Sequence, residues 1–312
     1  MCQIQNEYKR KLVSTHDALS VVHDDERIAI GMANSQPLAL IEALRDLVLC
    51  SRLAGVSVYY QHGTHEMAST LLSPELADLI KCYCFFLSHH DRAEINSVRF
   101  IPSLFNQTAK LLLEDIKVTT LLVTVSSMSE DGFFSFGCGA DYVMDLVKDH
   151  TIKVIVEVNN CMPYVQGQTR LHISQVTSIV ENHHSLMQAK PREATEKDRR
   201  IARFISDHIS DGCTIQLGIG GVPSAVAEIL CNYNDLGIHT ELLSPALVEL
   251  VRNGNANGYR KSLLPREHVF TLALGDDTMY DYMRQNQQFS GYPVSWTNDP
   301  SIISRNDNMI SV

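Results

Sequence analysis

Short runs of β-branched and aromatic residues alternate with longer amphipathic stretches along most of the chain. The runs at 26–32, 56–61, 82–88, 119–126 and 153–158 predict strands. Between them, 35–55 predicts a helix with Ser35 as N-cap, Pro37 in the first turn and Gly55 at its end. Residues 104–116 and 140–150 carry the same helical periodicity. A polar, charged, proline-containing stretch at 182–200 breaks the pattern and predicts a domain boundary near residue 190. The alternation then restarts: helix 195–209, strand 213–217, a glycine turn, a helix from Pro223 to 231, strand 238–243, helix 245–252 and strand 269–274. Strand–helix alternation builds mostly parallel sheets covered by helices. The expected fold class is therefore α/β, with two open domains at 1–188 and 195–312. An apolar, strand-like stretch at 306–312 closes the sequence, which predicts that the second domain is incomplete in this chain.

Composition narrows the function. The 312 residues are 45% hydrophobic, enough for real cores, and carry a formal net charge of −10. An acidic balance argues against a nucleic-acid partner, which requires a basic patch. A small anionic ligand stays compatible, because backbone N–H groups can bind it on an acidic protein. Eight cysteines are scattered without a CxxC pair. Cys82 and Cys84, two apart on a predicted strand, point to one face, but no Cys/His cluster completes a tetrahedral set. Reduced core thiols in a cytoplasmic protein are the expectation, with no metal. The basic N-terminus has no apolar segment behind it, and no apolar run is long enough to span a bilayer, so no membrane partner is expected.

Gly218, Gly220 and Gly221 follow the run "CTIQL" and precede a helical pattern. Glycines there let the backbone turn sharply and approach a ligand, and free N–H groups at a helix start suit a phosphate or a developing oxyanion. A plain strand-to-helix connection explains the same glycines. Glu241 follows twenty residues after Gly221, inside the next predicted strand. It could be a solvent-facing residue, a ribose contact of a dinucleotide fold, or a nucleophile, and spacing alone leaves all three open. The full GxGxxG pattern is not met, which disfavours a nicotinamide cofactor. Gly137 and Gly139 in "FGCGADY" line a loop or a site. His62 and His65 follow a predicted strand end but lack a third ligand. The pairs His89-His90 and His183-His184 read as loop residues.

Five segments, in order, resemble the acetyl-CoA hydrolase/transferase family: "SSMSEDGFFSFGCGADY", "VIVEVNNCMPYVQG", "QLGIGGVPSAV", "DLGIHTELLSPALVEL" and "WTNDPSIISRNDNMISV". The resemblance runs from about residue 10 to the end. It implies a CoA-transferase of 4-hydroxybutyrate, butyrate or acetate type, which moves CoA between an acyl-CoA and a small carboxylate. Glu241 matches the family's catalytic glutamate, which forms a mixed anhydride and then a glutamyl-CoA thioester in a ping-pong cycle. Gly218, Ile219, Gly220, Gly221 and Val222 match its CoA-contacting turn. CoA and acyl-CoA are then substrates, with no metal, nicotinamide or flavin, and a homodimer is the default assembly.

Physics agrees with that role. A carboxylate is a weak nucleophile in water, and alignment in a dry site can recover part of the ~7–11 kcal/mol available from effective molarity. One oxyanion donor is worth ~3 kcal/mol. The cleft between the two domains is the natural dry site. The sequence departs from the family at Leu242, at Ser244 with Pro245-Ala246, and at Asn160 and Cys161. Relatives also continue past Val312. An acetyl-CoA hydrolase, or a catalytically impaired CoA-binding remnant of the fold, are the alternatives these features raise.

Overall fold

The computed structural model describes residues 2–189 and 193–312. Its first sheet runs, in spatial order, Ser178–Glu181, Lys153–Val158, Thr120–Val125, Arg27–Ile30, Ser57–Tyr60, Lys81–Cys84 and Val98–Phe100, parallel throughout. Helices cover both faces, so central strands bury both sides and read as unbroken apolar runs rather than alternating ones. Every residue of Thr120–Val125 is buried. Strand order reverses between Arg27–Ile30 and Thr120–Val125, where ligand sites of open α/β sheets form beyond the carboxyl ends.

The helix expected over 35–55 spans Leu38–Leu49. Ser35 is not its cap: it lies in a preceding 3-10 turn, Ala33–Ser35, and Pro37 stands at the cap position without a side-chain bond. The first free amides are met from another strand instead. Glu157, fully buried, accepts from Ala39 N at 2.9 Å and Leu40 N at 3.1 Å, and from Asn182 Nδ2 at 2.8 Å. A buried carboxylate at a helix N-terminus satisfies donors and dipole together, which local sequence cannot reveal.

The second sheet runs Met309–Ser311, Thr214–Gln216, Gly237–Leu243, His268–Ala273, Phe289–Gly291 and Gln166–Gly167, again all parallel. The last strand comes from the expected first domain, 1–188, so the two parts of the chain are interleaved. Lys190, Pro191 and Arg192, where the division between domains was expected, lie outside the described residues. The helix expected from Pro223 begins at Gly221, with Gly220 as its cap and Pro223 as its third residue. That position still tolerates proline, since amides of the first turn have no intrahelical acceptor.

A hydrogen-bonded seam joins the two sheets. Ala140 N and Asp141 N donate to Thr271 O at 3.0 and 3.3 Å, and Ala273 N donates to Cys138 O at 2.7 Å. Gly139 is required here, because a Cβ would lie 2.4 Å from Ser35 Oγ. Leu242, Leu272 and Val294 of the second half pack into the core of the first. Among the described residues no helix is long and apolar enough to cross a membrane.

Two histidines of the second sheet are fully buried. Burial pushes His239 down to about 4 and His268 down to about 3. Both stay neutral in the folded protein while the unfolded chain takes up protons near 6.5, so stability falls as pH drops through that window. Asp141, pushed up to about 7 by burial, acts in the opposite sense above 3.8, so a variant must be compared with its parent. Neither ring nitrogen of His268 has a partner among the described residues. His268→Leu should leave stability near neutral pH unchanged or raised. Below about pH 6.5 it should gain on the parent by about 1.4 kcal/mol per pH unit. Denaturant titrations across pH measure this, and a gap that stays constant with acidification refutes it.

Candidate functional site

Glu241 is the one residue of the strand Gly237–Leu243 that is not fully buried. β-branched and apolar neighbours hold the strand in the centre of the second sheet, between Thr214–Gln216 and His268–Ala273. Its carboxylate oxygen Oε2 accepts a short hydrogen bond from Asn298 Nδ2. Asn298 closes the helical turn Val294–Thr297, its own amide donating to Val294 O at 3.0 Å. That turn is tied to the first half of the chain: Val294 N donates to Asp141 O at 3.1 Å, and Ser295 Oγ to Asp145 Oδ2 at 2.5 Å. The donor that grips Glu241 is thus fixed by residues of both halves.

The glycine turn lies one strand away. Thr214 pairs with Gly237 and Ile215 with Ile238. Carried on at the same offset, that register sets Gly218 level with Glu241. Gly220 has φ +142°, a region L side chains rarely adopt. Gly221 has a steric reason, since a Cβ there would sit 2.3 Å from the Asp198 carboxylate. Gly218 N already donates to Val312 O at 2.8 Å. Ile219, at the tip, is 81% exposed. Val222, in the first turn of the helix, packs against the core of the second half. In the first turn of the helix Gly221–Leu230, Pro223 has no N–H and Ser224 N donates to Gly220 O at 3.1 Å, which leaves Gly221 and Val222 as the amides without an intrahelical acceptor.

A cavity of about 180 Å³ opens beside the turn. Its walls are Leu217–Gly220, Pro223, Leu242, Leu274 and the Ser244–Ala246 segment, with Ala189 from the first half. Of the positions expected to depart from the family pattern, Leu242, Ser244, Pro245 and Ala246 line this cavity, whereas Asn160 and Cys161 do not. Glu241 is not among its walls. Alternation along the strand turns its side chain away from Leu242, onto the face covered by Asn298. A ligand touching both must lie over the carboxyl end of the strand. A larger concavity, about 640 Å³, lies between the helices Glu196–Ser206, Gly221–Leu230 and Pro245–Arg252 and also lacks Glu241.

The remaining candidates fall elsewhere. Gly137 and Gly139 serve the seam: a Cβ on Gly137 would meet Met162 Sδ at 2.6 Å. His65, His89 and His90 cluster, with ring centroids 5.4 and 3.7 Å apart, while His62 stacks on Phe86. His184 lies 3.7 Å from Glu157, whose carboxylate raises its pKa. Cys82 and Cys84 are both buried on one face of their strand. Among the described residues no group of three or more His, Cys, Asp or Glu is placed to hold a metal ion. Sequence reasoning missed Asn298 as a site residue. It stands 57 positions from Glu241, in a segment where no spacing rule marks an amide as functional.

Comparison with known proteins agrees with this layout. The acetyl-CoA hydrolase/transferase N-terminal domain matches residues 1–189 and the C-terminal domain of the same family matches 275–312. A succinyl-CoA:cyclohexane-1-carboxylate CoA transferase of Geobacter metallireducens is 32% identical, over 99% of this chain and 70% of that protein. A 4-hydroxybutyrate coenzyme A transferase of Clostridium kluyveri is 31% identical, over 98% of this chain and 71% of its own length. The crystal structure of RipA from Yersinia pestis superposes with a TM-score of 0.94 at 37% identity, covering 99% of this chain and 74% of that one. With both family domains matched in order and the same mostly parallel α/β architecture, the chain belongs to the acetyl-CoA hydrolase/transferase family.

Proposed function

We propose that the protein transfers CoA between an acyl-CoA and a small carboxylate, with Glu241 as the nucleophile. A carboxylate oxygen of Glu241 attacks the thioester carbonyl; the C–S bond breaks, giving a mixed anhydride and CoA thiolate. The thiolate then attacks the glutamyl carbonyl, releasing the first carboxylate and leaving a glutamyl-CoA thioester. A second carboxylate attacks that thioester, and the same two steps run in reverse to deliver its CoA ester. Charge balances throughout, since each step exchanges one anion for another. The relatives' names span short acids such as 4-hydroxybutyrate, butyrate and acetate and a bulkier one, cyclohexane-1-carboxylate; the short acids are the substrates proposed here.

The observation that carries this reading is the placement of Glu241. A glutamate of purely surface function would turn into solvent. This one is partly buried, with Oε2 anchored by a fixed amide. An anchored oxygen holds the carboxylate plane, so attack starts from one orientation rather than many. The same Asn298 amide can follow the charge that builds on the glutamyl oxygen when thiolate attacks. The first-turn amides of Gly221 and Val222, next in sequence to the cavity walls Gly220 and Pro223, are candidates for a second set of donors. Water must be kept from the anhydride, or the acyl group is lost to hydrolysis.

Incubation with acyl-CoA alone should add the mass of CoA, less water, to the peptide containing Glu241, in a hydroxylamine-sensitive bond. Intact-protein mass spectrometry reads it, and an unmodified peptide counts against the reading. Glu241→Ala should abolish both adduct and CoA exchange while the far-ultraviolet spectrum stays unchanged. Asn298→Ala should lower kcat by about 100-fold, the cost of one oxyanion donor, with KM within a few-fold of the parent. Steady-state kinetics separates that from a loss of binding, which would raise KM instead.

A further inference from the structure

We propose that His239 is a positioning residue for this reaction, setting the Asn298 amide against Glu241 through the Thr297 carbonyl. The inference rests on the reading of Glu241 as nucleophile.

His239 and Glu241 are two apart on one strand, so their side chains share a face. The segment 292–299 covers that face. His239 Nε2 lies 2.8 Å from Thr297 O, while Glu241 holds the next residue, Asn298. Alternate positions on the strand thus grip consecutive positions on the segment. The other bonds of Thr297 and Asn298 stay within their own helical turn: Thr297 N to Pro293 O at 2.9 Å, Asn298 N to Val294 O at 3.0 Å, and Thr297 Oγ1 to Tyr292 O at 3.4 Å. They shape the turn without fixing its height on the strand. The start of the segment is anchored by Tyr292 N to Phe270 O, Val294 N to Asp141 O and Ser295 Oγ to Asp145 Oδ2; at its far end, beside Asn298, the histidine bond is the tie to the Glu241 strand.

A carbonyl oxygen only accepts, so Nε2 carries the hydrogen and Nδ1 is left as an acceptor. Asn306 Nδ2, 3.3 Å from Nδ1, is the matching donor. The ring is fully buried, 5.6 Å from the Trp296 ring, and burial keeps it neutral. The nearest cation, Lys261, is itself buried and bound to Ile238 O and Glu267 O. A neutral histidine in one tautomer is a rigid donor of fixed length, suited to holding a main-chain carbonyl.

Two amide substitutions separate the ring's two contacts. His239→Gln keeps a donor within reach of Thr297 O; His239→Asn is shorter and reaches only toward Asn306. The glutamine variant should keep kcat within a few-fold of the parent. The asparagine variant should lose about 100-fold, the penalty of a misplaced group, with KM little changed. In an Asn298→Ala background, His239→Asn should cost nothing further, because its effect passes through the amide already removed. Equal kcat for the two variants, or losses that multiply in the double variant, overturn the proposal. The unmodified protein gives an independent check by ¹⁵N NMR of the ring: protonated Nε2 and bare Nδ1 are expected, and the opposite tautomer overturns it. Failure of the parent to form any CoA adduct would instead strike the nucleophile itself, leaving the tautomer result to stand alone.

Discussion

The hydrogen bond from Asn298 to Glu241 joins most of this structure's features at one point. A carboxylate partly removed from water loses hydration that fixed dipoles must replace. Here one oxygen receives that replacement. The donor cannot come from Glu241's own strand, where backbone groups are spent on the ladder. It has to be brought from elsewhere in the chain and held still, and the segment 292–299 does this. The segment's anchors at Asp141 and Asp145 lie in the first half of the sequence. Placing the Glu241 carboxylate therefore requires both halves to be docked.

The docking is of a kind that resists sliding. A purely apolar interface could shift by an ångström at little cost, whereas the bonds from Cys138, Ala140 and Asp141 to Thr271 and Ala273 fix register. The strand Gln166–Gly167, added to the edge of the second sheet, works in the same way. Leu242 and Leu272 then bury apolar area across the seam. Hydrophobic burial supplies the attraction and backbone pairing sets the position.

The strand–helix alternation was legible because fully buried parallel strands print their burial directly into sequence. Runs at 153–158 and 245–252 match a strand and a helix residue for residue. Short strands such as Val98–Phe100 and Phe289–Gly291 were not legible, since three residues carry no period. The start of the helix at Leu38 was misjudged because its cap, Glu157, arrives from a distant strand. Glu241 stood out as an acid in an apolar strand, but spacing left three roles open, a solvent-facing residue being the commonest fate of a glutamate. Its orientation depends on a residue 57 positions away, and pairings of that range leave no local trace.

Glu157 and Glu241 show how much environment decides for one side-chain type. Both sit on central strands of parallel sheets. Glu157 accepts from two backbone amides and the Asn182 side chain, and His184 lies close by. Both its oxygens are occupied, and the carboxylate is wholly buried. Lone pairs committed to donors are poor at attacking carbon, so the group serves as a permanent cap. Glu241 has one described donor, on one oxygen, and its residue is partly exposed. Enough is satisfied to hold the group, and enough is left for the nucleophilic role proposed for it. By that contrast, adding a second donor at Oε1 of Glu241 would steady the fold and slow the chemistry.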